Sequence, residues 1–147
     1  MLRRKLLILA AATPFTQVAF AAQPGIFTGL VQGVAVGGYD AVSYFYGDPM
    51  PGKADYTVQW HGASWQFASA DNAKMFTSAP EKYAPQYGGY CAYAVAQGAT
   101  AKGDPLAWTV VNMKLYLNYS PSISEKWRKD IPGYITAANA NWPKVLE

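Results

Sequence analysis

From Asp55 the chain alternates strictly: Tyr56, Val58 and Trp60 fall on one face, and Thr57, Gln59 and His61 on the other. A period of two is the mark of a half-buried strand. A second alternation, Trp65 and Phe67 against Ser64 and Gln66, follows Gly62-Ala63, so the simplest link is a two-residue hairpin loop over that pair. This places His61 opposite Ser64, Trp60 opposite Trp65, Gln59 opposite Gln66 and Val58 opposite Phe67. Every large apolar side chain then shares one face, and His61 sits on the polar face beside the turn.

A second hairpin is expected where residues 108–111 meet residues 114–119, with Asn112-Met113 as its turn. Helical signals lie between and after the hairpins. Gly37-Gly38-Tyr39-Asp40 supplies a turn and an Asp cap before a short helical segment at residues 41–45. Ser69 caps a helix over residues 70–77, and a short helix over residues 90–96 stops at Gly98. Ser120 followed by Pro121, or Ser122 with Glu125, starts a helix carrying Trp127 and Ile131. Ile131-Pro132-Gly133 breaks it, and Tyr134, Ala138 and Trp142 mark a last amphipathic segment stopped at Pro143. Residues 100–105 read as a loop, and no internal repeat is evident. The fold class is α+β: a single small domain of two β-hairpins interleaved with short α-helices.

The first 21 residues are read as a signal peptide, with charged Arg3, Arg4 and Lys5, an apolar run, and the small-residue site Ala19-Phe20-Ala21. The expected localisation is periplasmic or secreted, by a general secretory or a twin-arginine route. Residues 22–33 read as a flexible lead-in and residues 34–147 as the domain. The apolar run is shorter than the roughly 20 residues a membrane span needs, and no later stretch reaches that length. Removing the signal takes three of the twelve basic residues and leaves nine against nine acidic ones. Such a balance, without a long basic cluster, gives no footprint for nucleic acid or an anionic membrane.

Cys91 is the only cysteine. In an oxidising compartment it has no internal disulfide partner, so it is buried and inert, paired between chains, or chemically employed. Two glycines precede it and a helix-compatible Ala/Val run follows, which places it in the first turn of a helix, where the dipole and free N–H groups favour thiolate. A thiolate serves as nucleophile, redox centre or soft-metal ligand; a small buried hydrophobe is the plainer alternative. His61, the only histidine, is the second candidate metal ligand, although a solvent-exposed histidine is the simpler reading of its position. Met50, Met75 and Met113 offer thioethers that suit Cu(I), or simply fill space. Tyr87, Tyr90 and Tyr93 are candidates to line a pocket, and Tyr83 belongs to the same cluster. Asp40 reads first as a cap. No phosphate-binding glycine loop, nucleophile elbow or paired-carboxylate spacing is present.

Taken together, Gly38-Tyr39-Asp40-Ala41-Val42-Ser43-Tyr44-Phe45, Trp65-Gln66-Phe67-Ala68-Ser69, Gly88-Gly89-Tyr90-Cys91-Ala92, Leu115-Tyr116-Leu117-Asn118-Tyr119 and Asn141-Trp142-Pro143 resemble the YHS domain family, in its exported bacterial branch. Metal-handling members carry cysteines where this chain has Ser43, Ala68 and Asn72, so their metal site does not transfer. Some relatives of the exported branch place selenocysteine at the position of Cys91, which the resemblance therefore marks as functional. The leading expectation is a domain that binds or transfers a soft metal ion, copper before zinc, through Cys91 with His61 or a methionine as second ligand. A metal donor or acceptor protein, or a small thiol, would be its partner. The alternatives are thiol redox chemistry at Cys91 and a metal-free interaction domain, and an enzyme is the less favoured reading.

Overall fold

The alternating stretch does form a hairpin in the structure, a computed structural model that describes residues 11–14 and 22–147. Strand β1 (Lys53–Trp60) pairs antiparallel with β2 (Ala63–Phe67). The turn lies one residue earlier than expected, which moves every cross-strand partner by two: Trp60 faces Ala63, Gln59 faces Ser64 and Val58 faces Trp65. The two turn residues are His61 and Gly62, both with positive φ (48° and 75°). That left-handed pair matches the strand twist, and glycine fits the second position without strain. The apolar face survives the shift, and Ala63, Trp65 and Phe67 are buried. The second hairpin, β3 (Asp104–Val111) with β4 (Lys114–Asn118), turns at Asn112-Met113 as expected, both at positive φ. Its first strand begins at Asp104, inside the segment read as a loop.

The helices are α1 (Ala70–Ser78), α2 (Pro80–Tyr83), α3 (Ala92–Ala96), α4 (Pro121–Arg128) and α5 (Ile131–Asn141). Ser69 caps α1 by accepting from the Asn72 N–H, and Ser120 caps α4 by accepting from the Ile123 N–H, so Ser120 prevails over Ser122. Ile131-Pro132-Gly133 does not break a helix but opens one. Pro132 lies in the first turn of α5, where no N–H is needed, and the Asp130 carboxylate accepts from the Gly133 N–H. The result is an α+β fold of two two-stranded antiparallel sheets and short helices. Among the described residues no helix is long and apolar enough to cross a membrane. The charged start and cleavage site of the expected signal segment lie outside the described residues.

The chain contains an internal repeat that sequence inspection missed. A shift of 51 residues carries Lys53–Trp60 onto Asp104–Val111 and Ala63–Phe67 onto Lys114–Asn118. The same shift carries the capping Ser69 onto Ser120. It also superposes an unusual turn: Val36, Gly37 and Gly38 have φ of 55°, 58° and 83°, and Tyr87, Gly88 and Gly89 have 56°, 61° and 83°. After each turn the backbone makes the same bond, Asp40 N–H to Met50 O in the first half and Cys91 N–H to Ala101 O in the second. Both halves even interrupt their strand pairing at the same place, between Lys53 and Thr57 and between Asp104 and Trp108. Few residues are shared. Gly37, Gly38, Tyr39, Ala41 and Gly47 recur as Gly88, Gly89, Tyr90, Ala92 and Gly98, while most other positions differ.

Strand β4 joins the two cores. Leu115 and Leu117 enter a cluster with Trp65, Phe67, Phe76 and Tyr44, whereas Tyr116 enters the other, with Trp127, Val95 and Tyr87. With alternate side chains on opposite faces, a strand buried on both sides divides its residues in this way. The lead-in is tied down rather than loose. The Gln23 N–H bonds Leu146 O, the Phe27 N–H bonds Gly88 O, the Tyr90 hydroxyl donates to Pro24 O, and Ile26 is buried. At Gly88, with φ of 61°, an added Cβ would run into the Gly25 carbonyl. Gly88→Ala is therefore expected to lift the lead-in from the domain at a cost of about 2 kcal/mol. Limited proteolysis should cut the variant within residues 22–33 well before the wild type; equal resistance would show that the strap tolerates the clash.

Candidate thiol site

The shared turn ends by presenting one side chain from each half to the same kind of place. In the first half that side chain is Asp40, fully buried. Its Oδ1 accepts from the N–H groups of Val42 (2.8 Å) and Ser43 (3.2 Å), and its Oδ2 from the Ala68 N–H (2.9 Å) and Asn72 Nδ2 (2.7 Å). Asp40 does cap the turn that follows it, as its position suggests. It also ties that turn to the end of β2 and to α1. Four donors around two oxygens satisfy a buried carboxylate without a cation.

In the second half the side chain is Cys91. It is 1% exposed and stands at the N-cap of α3 rather than in the helix's first turn. Its sulfur accepts from the Tyr119 N–H at 3.2 Å, and Tyr119 is the repeat equivalent of Ala68. Asn118 Oδ1 lies 3.6 Å from the sulfur, within reach of the thiol proton, and also accepts from the Tyr93 N–H at 3.0 Å. Burial pushes the thiol pKa up, while the backbone N–H groups of Ala94, Tyr119 and Tyr93 pull it down; burial prevails and the net shift is upward. Tyr93 and Ala94 are the equivalents of Val42 and Ser43, so the backbone donors are those that hold Asp40. The resting group is therefore a neutral thiol inside an anion's cradle. The favourable N–H groups are individual donors, since a five-residue helix contributes little dipole of its own.

Asn118 is the residue that sequence inspection passed over. It is fully buried, and its Nδ2 has no hydrogen-bond partner. With Oδ1 engaged by Tyr93, the amide is oriented, and the orphaned NH₂ belongs to the same side chain that abuts the sulfur. Its one sequence signal was a polar residue ending the apolar run Leu115-Tyr116-Leu117, a position that the first half fills with Phe67.

The structure does not bring His61 to Cys91. His61 is exposed on the hairpin tip, its ring 3.9 Å from that of Trp60, and lines an open cleft of about 400 Å³ with Trp60, Glu81, Gln86, Tyr87 and Trp142. Cys91 is not among the residues of that cleft. Tyr87 lines it, and its hydroxyl donates to Asn139 Oδ1. Tyr90 and Tyr93 do not line it: Tyr90 is buried against Phe27 and Trp142, and Tyr93 packs on Tyr134 beneath the Lys126 ammonium. Met75 and Met113 line a separate small cleft with Tyr46 and Tyr83, and Met50 is exposed. Among the described residues no three His, Cys, Asp or Glu side chains gather into a metal-binding group. Comparison with protein-family models, curated proteins and solved structures finds no match to this chain.

Proposed function

We propose that this is a small exported YHS-like domain whose working group is Cys91, acting as a redox-responsive thiol rather than as a turnover catalyst. One observation carries the reading: the thiol occupies a backbone N–H cradle that, in the other half of the chain, holds a carboxylate. Such a cradle favours any negatively charged state of the sulfur, while burial keeps that state scarce in the resting protein. A rapid nucleophile needs a depressed pKa and an open approach. A slow responder to oxidant needs neither.

A soft ion such as Cu(I) is a second reading, favoured by the same N–H groups because they stabilise thiolate. The side-chain hydrogen-bond partner of the sulfur is the amide oxygen of Asn118, a hard donor, so a further soft ligand would come from a partner. Exposure of the native protein to hydrogen peroxide, followed by denaturation and thiol counting, separates these readings. The wild type should lose its thiol at a rate that climbs with pH, and the climb should begin above the range in which a free thiol ionises, because burial raises the Cys91 pKa. Full retention of the thiol across the whole alkaline range in which the fold stays intact would refute the redox reading. Tight one-to-one Cu(I) binding, lost in Cys91→Ser and accompanied by no oxidation, would establish the metal reading in its place.

A further inference from the structure

The two cradles differ in what meets their donors: the carboxylate of Asp40 presents two oxygens, the thiol of Cys91 presents one sulfur, and the Tyr93 N–H, equivalent to that of Val42, bonds Asn118 Oδ1. In the first half, a side-chain amide, Asn72 Nδ2, donates to the second oxygen. In the second half, a side-chain amide, Asn118 Nδ2, has nothing to donate to although it is wholly buried. An unpaired buried N–H is costly, so an acceptor supplied to it would stabilise this half of the molecule.

We propose that the Cys91 site is built to hold the sulfinate of Cys91, the oxygenated side chain that is the closest sulfur counterpart of aspartate. The sulfinate places two acceptor oxygens beyond Cβ, as Asp40 does. The N–H groups of Ala94 and Tyr119 and the orphaned amide of Asn118 become its donors. This deepens the redox reading above and rests on it for the way the modification arises.

The oxidant is a peroxide, small enough to reach a sulfur whose hydrogen-bond partner, Tyr119, is itself 47% exposed. The thiol first releases its proton to solvent. The sulfur then attacks one peroxide oxygen, an S–O bond forms as the O–O bond breaks, and the departing hydroxide leaves as water after taking a proton. Sulfur loses two electrons and the peroxide gains them. A second peroxide repeats the step at the sulfur of the sulfenate, giving a second S–O bond, a second water and a singly charged sulfinate. With a single cysteine in the chain, no internal disulfide diverts the sulfenate.

Oxidising a buried cysteine ordinarily loosens a core. Here the oxidised protein should be the more stable form. Intact-mass analysis of the peroxide-treated full chain should show a terminal product about 32 Da heavier. That product should melt roughly 5 °C above the reduced protein. A product that melts lower, or that runs on to the sulfonate as the main species, would overturn the proposal. Cys91→Asp tests the cradle without oxidation. It should melt at or above the wild type and shift the Asn118 side-chain NH₂ resonances downfield. If it melts as low as Cys91→Ala, or fails to fold, the cradle does not accept a two-oxygen anion, whatever the thiol does with peroxide. If Cys91→Asp behaves as expected but peroxide leaves the thiol intact, the cradle stands, and the route to the sulfinate falls with the redox reading.

Discussion

Asp40→Ala is expected to destabilise the domain by about 3–5 kcal/mol, because it removes an acceptor at the centre of a buried network and leaves its donors behind. The N–H groups of Val42, Ser43 and Ala68 and the amide of Asn72 all point at its carboxylate. Val42 and Ser43 are buried and Ala68 and Asn72 half-buried, and unsatisfied buried donors are what make such truncations costly. The melting temperature should fall by on the order of 10–20 °C for a domain of this size. Asp40→Asn should recover little. Its NH₂ would face the Ala68 N–H and the Asn72 amide, setting donor against donor. Thermal denaturation of the two variants checks this directly: an asparagine variant close to the wild type would mean that the network rearranges around one remaining oxygen.

The second large effect is expected at Trp65. This side chain is 1% exposed, stacks on Phe76 with ring centroids 4.8 Å apart, meets Trp60 edge to face, and donates from Nε1 to Trp60 O at 3.0 Å. Trp65→Ala therefore removes the largest side chain of the first core together with a hydrogen bond. The expected loss is about 3–5 kcal/mol, the range for emptying a buried aromatic site. Denaturant unfolding should show a lower midpoint with little change in slope. A loss below about 1 kcal/mol would mean that Trp60 and Phe76 collapse into the space. Because Trp65 contacts only the first core, the hydrogen-exchange protection of α3 and α5 should decline less than that of β1 and β2. Uniform loss would instead show that the two halves unfold as one unit.

Local features were legible wherever they depend on near neighbours. The alternation around Trp60 gave the hairpin and its buried face, Ser69 and Ser120 gave the starts of α1 and α4, and Asn112-Met113 gave the second turn. The first turn was misplaced by one residue, and the register therefore by two, because Gly62-Ala63 looks like turn chemistry, yet the left-handed pair is His61-Gly62. Either register keeps Val58 and Trp65 on one face, so the apolar pattern does not choose between them. The turn does.

The repeat was harder to see, although Gly-Gly-Tyr-x-Ala followed by a glycine six residues on occurs in both halves. Its signature is backbone conformation, above all a bulky residue and two glycines at positive φ, and many side-chain sequences satisfy the same backbone. The substitutions of Asp40 by Cys91 and of Phe67 by Asn118 look unrelated in the chain. They become linked only when the halves are laid over each other.

The sequence by itself determined that this chain forms an α+β domain of two hairpins and short helices, and that one cysteine follows a Gly-Gly turn. Only the tertiary structure decided what surrounds that cysteine. The Asn118 amide and Tyr119 N–H that abut its sulfur come from 27 and 28 residues away, while His61, its expected partner, lies in a cleft that Cys91 does not line. Helix caps and strand alternation are fixed by contacts a few residues apart, so composition and spacing record them. The environment of a buried thiol is fixed by which distant donors packing brings to it, and spacing carries no record of that.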